Sequence, residues 1–295
     1  MAVRITNGMM SRNYLYNLNS IGNRLNKLNK DITTTVRIHK PSDDPVGTAK
    51  TMKLSTSLTR NSQYNENVGY AVSWADATET AFNSLDSVMQ RARELAVRGS
   101  TETMSEEDKK AIADEIDQLR LQVIDLGNAN LDDRYIFAGT ATEKAPFSDA
   151  GNGKYKYTGN TQQIMIEVSL GVNMPANIYG EQPFGECIDA LHEFSETLIS
   201  GTDNADFQTC LDKINKALNN VVTARSENGA LTNRYEMVED RLDDLELNYT
   251  SILSDTYDTD MSKAIMEMVN AESIQRAALS VGAKILQPSL VQFLS

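Results

Sequence analysis

The sequence predicts a mainly α protein, an elongated coiled-coil-like helical bundle built from both chain ends, with a small β-rich insert domain between them. Three observations carry this. Apolar residues recur at gaps of three and four over most of the chain, the mark of helices that bury one stripe. Prolines number only 6 in 295 residues, and aromatics are limited to 7 Phe, 11 Tyr and 1 Trp, a balance that favours long helices over sandwiches or barrels. Between Arg134 and Pro183 the period changes: apolar residues alternate with polar ones, and Gly, Asn and Pro punctuate the gaps, which is how short strands and turns read.

The first helix is marked by Tyr14, Leu18, Ile21, Leu25, Leu28 and Ile32, spaced 4, 3, 4, 3 and 4, a heptad seam suited to a partner helix. Residues 1–40 carry seven basic side chains and one acid, Asp31, so this end is basic in an acidic protein. At KPSDDPVG, residues 40–47, Pro41 drives Lys40 out of helical geometry, Ser42 or Asp43 can cap a second helix, and Asp44 and Pro45 suit its first turn. That helix shows its stripe at Val68, Val72, Ala75, Thr78, Phe82, Leu85, Met89, Ala92 and Ala96, and Gly99 supplies a stop. Over residues 43–98 it would be roughly 80 Å long at 1.5 Å per residue. Ser105 with Asp108 has the form of a capping box for a third helix, whose stripe is Ile112, Ile116, Leu119, Val123 and Leu126, ending at Gly127.

Strands are expected where Tyr155, Tyr157, Ile164, Ile166 and Val168 alternate with polar residues. Helical spacing returns at Phe184, Ile188, Leu191 and Leu198, then at Phe207, Leu211, Ile214, Leu218 and Val221. Leu231, Tyr235, Val238, Leu242, Leu245, Tyr249 and Ile252 form a second regular heptad seam. Its outer face is acidic: residues 236–260 hold nine acids and one base, Arg241. After the polar break SDTYDTD, a last helix carries Met261, Ile265, Met268, Ala271, Ile274, Ala278, Val281 and Ile285, with one slip in the period, as far as Pro288. The expected organisation is a rod made from both halves of the chain, with heptad seams at both chain ends and a small β-rich side domain in the middle.

The chemistry of the side chains points away from catalysis. Lys and Arg number 28 against 41 Asp and Glu, a formal net charge of −13, which disfavours nucleic acid and acidic membrane surfaces. His39 and His192 are the only histidines, and Cys187 and Cys210 the only cysteines, too few for a zinc pattern or a disulfide framework. Cys187 and His192 stand about 140° apart around a helix, so they are read as a half-buried thiol and a surface imidazole. DTYDTD at 255–260 lacks the glycine and bidentate Glu of a calcium loop and is read as a helix junction. GNGKYKYTGN at 151–160 lacks phosphate-binding spacing and is read as a hairpin turn. No enzyme activity, cofactor or metal is expected. No apolar run is long enough to span a membrane, and the charged, Asn-containing amino end is unlike a signal peptide.

The two terminal stripes are therefore expected to be adhesive. The candidate assembly interface is Tyr14, Leu18, Ile21, Leu25, Leu28 and Ile32 with Ile265, Met268, Ile274, Ala278, Val281 and Ile285. A single neighbouring helix buries too little of either stripe to offset the entropy of ordering some 30 residues, at about 1–2 kcal/mol each. Ordering of both ends by surrounding subunits is the expectation that follows.

Four blocks carry a family resemblance: RITNGMMSRNYLYNLN at 4–19, KPSDDPVGTA at 40–49, RYIFAGTATEKAPF at 134–147 and AALSVGAKILQPSLVQFL at 277–294. Together they resemble the flagellin superfamily, and within it the members that join hook to filament. PSDDP and RYIFAG followed by PF are the specific elements, and the Gln287, Pro288 and Ser289 ending fits the junction members better than flagellin. The resemblance implies a structural adaptor of the bacterial flagellum, with flagellin, the filament subunit, as the alternative. It implies export through the flagellar type III channel without a cleaved signal peptide, an extracellular place at the hook-filament junction, and terminal helices lining a tube: carried onto this chain, 1–40 and 262–295 form a terminal coiled coil as the inner layer, 41–139 and 184–261 a helical rod, and 140–183 a small β-rich outer insert. The implied partners are further copies of itself, the adjacent hook-associated protein, flagellin and an export chaperone.

Overall fold

The computed structural model describes residues 7–100, 105–151, 154–200 and 204–286. The described residues form six helices: α1 (Asn7–Thr34), α2 (Pro45–Gly99), α3 (Glu106–Gly127), α4 (Glu181–Ser200), α5 (Asn204–Tyr257) and α6 (Met261–Leu286). Three antiparallel strand pairs lie between α3 and α4. They are β1 (Asn130–Leu131) with β2 (Arg134–Tyr135), β3 (Phe147–Gly151) with β4 (Lys154–Tyr157), and β5 (Met165–Ser169) with β6 (Val172–Pro175). The protein is thus mainly α with a small β insert. The chain divides into two compact units, Arg60–Glu246 and the paired ends Met1–Thr59 with Leu247–Ser295, and the division falls inside α2 and α5.

In the unit Arg60–Glu246 the stripes expected on α2, α3, α4 and α5 meet in one core. Trp74, Phe82, Leu85 and Met89 of α2 are fully buried, with Ile116 and Val123 of α3, Phe184, Ile188 and Leu191 of α4, and Ile214 and Val221 of α5. Four phenylalanines from different elements converge there. Phe137 lies 4.6 Å from Phe184 and 5.4 Å from Phe82, centroid to centroid, and Phe147 lies 5.8 Å from Phe184. Such offset and tilted ring contacts add to the burial itself. Phe147, Tyr155 and Tyr157 of the β3–β4 hairpin pack into this same cluster. Two glycines make room for rings: a Cβ at Gly127 would press on Phe147, and one at Gly180 on Phe137.

The turns follow local chemistry. Asp132 and Asp133 join β1 to β2 at φ 50° and 61°, a conformation that short polar side chains tolerate. Ser105 caps α3: its hydroxyl accepts from the Asp108 amide at 3.2 Å and donates to the Asp108 carboxylate at 2.7 Å. The β5–β6 hairpin has a second, smaller core, where Val168 and Met174 meet Val68 and Ala71 of α2 and Tyr235 and Leu242 of α5. Buried Asn side chains tie α2 to α5 in register: Asn61 donates to the Leu242 carbonyl at 2.8 Å, and Asn228 to the Ala75 carbonyl at 2.9 Å.

Candidate assembly interface

The terminal unit is built from α1, α6 and the adjoining ends of α2 and α5. α1 and α6 run antiparallel, as three contacts establish. The Tyr14 hydroxyl donates to the Ala278 carbonyl at 3.0 Å, Arg24 pairs with Glu267 at 3.2 Å, and Val36 bridges Asp258. Beyond α1 the chain turns at Thr35 (φ 61°) into a joint that crosses the end of α5. The Arg37 amide donates to the Tyr257 carbonyl at 2.9 Å, its Nε to the Thr256 carbonyl at 2.7 Å, and the Thr259 amide to the Thr35 carbonyl at 2.8 Å. SDTYDTD is this joint: α5 ends at Tyr257, Asp260 accepts from the Lys263 amide at 3.0 Å, and α6 begins at Met261.

KPSDDPVG is the other half of the joint. Its cap lies one residue beyond the expected pair: Asp44 accepts from the Gly47 amide at 2.8 Å, and Pro45 takes the first helical position. Asp43 instead turns back and accepts from the amides of His39 and Lys40, at 3.2 and 3.0 Å. Those two amides hold its carboxyl below the ordinary carboxylate range. Asp31 sits in the last turn of α1, where a negative charge opposes the helix dipole. Its contact with His39, 2.7 Å from Oδ1 to Nε2, offsets this, and both side chains are nearly buried.

The expected interface residues divide into two groups. On α1, Leu28 is buried, and Tyr14, Leu18, Ile21, Leu25 and Ile32 are half-buried. On α6, Met268 and Ala278 are half-buried, whereas Ile265, Ile274 and Val281 are 45, 52 and 52 % exposed. The side chain of Ile285 lies outside the described residues, as do residues 4–6 and 287–294 of the blocks quoted above. The face that α6 covers is made instead of Ala264, Ala271 and Gly282, all buried, with Ala278 between them. Ala264, Ala271 and Ala278 are spaced by sevens, a signal available in the sequence but carried by residues with little bulk. Small residues let the two backbones approach closely. The larger side chains are left outside: Met261, Met266, Val269 and Leu279 are exposed along with Ile265, Ile274 and Val281. A helix that completes one contact and still shows this much apolar surface has the character of an interaction surface.

The remaining chemical groups have structural surroundings. Cys187 is buried, and desolvation followed by the neighbouring Glu186 pushes its thiol far above the ordinary range, the reverse of an activated nucleophile. Cys210 contacts the Thr197 hydroxyl at 3.4 Å, and its thiol too is raised by burial. His192 lies 3.5 Å from Glu196 on the following turn. Among the described residues no group of three His, Cys, Asp or Glu side chains could hold a metal ion, and no helix is long and apolar enough to cross a membrane.

Residues 5–142 match the bacterial flagellin N-terminal helical region, and residues 211–294 the bacterial flagellin C-terminal helical region, so the two matches cover more than half of the chain. The flagellar hook-associated protein 3 of Escherichia coli strain K12 is 29% identical over 293 residues, spanning 90% of this chain and 92% of that protein. The flagellin of Bacillus subtilis strain 168 is 26% identical over 297 residues, spanning 97% of each. Among solved structures, the flagellar junction protein FlgL from Legionella pneumophila shares the fold with a TM-score of 0.55 at 16% identity, over 72% of this chain and 100% of that one.

Proposed function

Because the chain belongs to the flagellin family of structural flagellar proteins, we propose that it is the adaptor subunit joining hook to filament, a role supported by its likeness to a flagellar hook-associated protein and a flagellar junction protein. The carrying observation is α6, which pairs with α1 through small residues while leaving seven large apolar side chains exposed for other subunits. In this reading residues 1–40 and 262–295 form the inner layer of a tube, 41–139 and 184–261 the layer around it, and 140–183 its outer face. The terminal helices become fully ordered only among sister copies. The subunit leaves the cell without a cleaved signal peptide, guarded by a cytoplasmic chaperone. It then contacts the neighbouring hook-associated protein on one side and flagellin on the other.

The second reading is a flagellin, favoured by the end-to-end match with the Bacillus subtilis filament protein. Seeded assembly separates the two. Purified full-length chain added to isolated hooks is expected to deposit as a short zone and stop; growth of long filaments from the chain alone would establish the filament reading instead. Immunolabelling of intact flagella in the electron microscope should give the matching picture, a single band where hook meets filament.

A further inference from the structure

Gly282 is an unfavourable residue for the interior of a helix, and α6 runs on past it to Leu286. Its surroundings explain it. A Cβ at this position would overlap the ring of Tyr14, whose hydroxyl donates at 3.0 Å to the carbonyl of Ala278, one turn earlier on the same face. The glycines of α1 are different: at Gly8 and at Gly22 an added Cβ would meet nothing within 4 Å. Gly282 and the Ala278 carbonyl thus form a notch that takes one tyrosine ring.

Among the described residues, the notch holds the α1–α6 hydrogen bond that lies farthest from the joint. At the opposite end the joint pins α1 to α6 through Val36 with Asp258 and Thr35 with Thr259. Between the ends the Arg24–Glu267 pair is 62 and 39 % exposed, and such surface pairs hold little. Apart from Met268, which is half-buried beside Leu25, a face built on Ala264, Ala271 and Ala278 offers few protrusions against which α1 could resist a turn of α6 about its own axis. Turning α6 would redirect Ile274, Val281 and Leu279, the exposed side chains nearest the notch in sequence.

We propose that Tyr14, Ala278 and Gly282 form a rotational lock that fixes how α6 presents its exposed apolar flanks, making Tyr14 and Gly282 the residues that decide whether a subunit can be added. The inference rests on the junction reading for its biological setting, but the lock itself is tested independently of it. Gly282→Ala adds apolar area and helix propensity, so adhesion governed by either would be unchanged or improved. The lock predicts the opposite.

The experiment follows amide hydrogen exchange in α1 and α6 of the free full-length chain, together with addition of the chain to isolated hooks. Gly282→Ala is expected to lower protection of the two helices and the rate of addition by about tenfold or more, the scale of a tight contact overfilled by one methyl. Tyr14→Ala in the same chain should restore part of both, because it empties the notch. Tyr14→Phe, which keeps the ring and loses one hydrogen bond, should cost only a few-fold. Gly282→Ala with wild-type protection overturns the lock, as does failure of Tyr14→Ala to recover any. A wild-type chain that does not add to hooks counts against the junction reading alone, since exchange in the free chain still decides the lock.

Discussion

The two units of this chain close their cores to different degrees. In Arg60–Glu246 the apolar stripes of four helices face one another, and Trp74, Phe82, Phe137, Phe147, Phe184 and Phe194 are all fully buried. Among the described residues of the paired ends the buried apolar ones are Leu28, Ile38, Ala264 and Ala271, while larger side chains of α6 are exposed. The first unit satisfies itself, so damage to it should register as lost stability. The second is left open, so damage to it should register as lost assembly. The largest effect is expected at the centre of the closed unit. Phe184 touches three other phenylalanine rings, and Phe184→Ala should lower its stability by about 3–5 kcal/mol. A urea titration of the free chain measures this, and a loss below about 1 kcal/mol would mean the cluster collapses to fill the gap and the contrast between the units is weaker than drawn.

Within the open unit, the division between covered and exposed residues can be tested with two charges. Leu25 is half-buried on the face that α1 turns toward α6, so Leu25→Asp places a carboxylate inside the pair and should loosen it, at roughly the 1–3 kcal/mol of an unpaired buried polar group. Val281 is 52 % exposed, so Val281→Asp should leave the α1–α6 pair intact and still block addition of the subunit to a growing end. Thermal unfolding of the Arg60–Glu246 unit should be unchanged in both, and incorporation into flagella abolished in both. A lower melting temperature of that unit in either variant would contradict the separation.

Which parts of this were legible in the sequence depends on the bulk of the residues that make each contact. The α1 seam could be read directly, because Leu18, Ile21, Leu25 and Leu28 are both the periodic and the covered residues. On α6 the two properties part company. Ala264, Ala271 and Gly282 are covered, and Ile265, Ile274 and Val281, which dominate any hydrophobic pattern, are not. A stripe found by bulk therefore does not tell which residues of a helix its pairing covers. The helix start at KPSDDPVG was legible to within one residue, since Asp43 and Asp44 are alike as caps and only the backward contact to His39 and Lys40 distinguishes them. The phenylalanine cluster was not legible as a unit. Phe137 lies between β2 and β3, outside any stripe, and reaches Phe82 and Phe184 only through tertiary packing. Gly127 and Gly180 are helix stop and loop punctuation in the sequence, and become ring contacts only in the fold.

The smallest effect is a test of how completely the closed unit is sealed. Tyr235 is buried against the β5–β6 hairpin, and its hydroxyl donates to the Pro175 carbonyl. Burial raises its pKa to about 12, and Tyr157 is likewise raised to about 12 by burial, against about 10 for a free tyrosine. The folded state therefore favours the neutral phenols. Their contribution is fully present below about pH 10 and is lost as pH rises from about 10 to about 12. The Arg60–Glu246 unit should accordingly unfold at lower urea across that window. Tyr235→Phe removes one hydrogen bond, about 1 kcal/mol at neutral pH, and also removes one of the groups whose ionisation the fold opposes. Its stability should fall less steeply between pH 10 and 12 than that of the wild-type chain, the remaining slope belonging to Tyr157 and the other phenols and thiols raised by burial, Tyr64, Tyr155, Cys187 and Cys210. Equal slopes in the two proteins would show that Tyr235 reaches solvent without unfolding, and that the seal around the hairpin is incomplete.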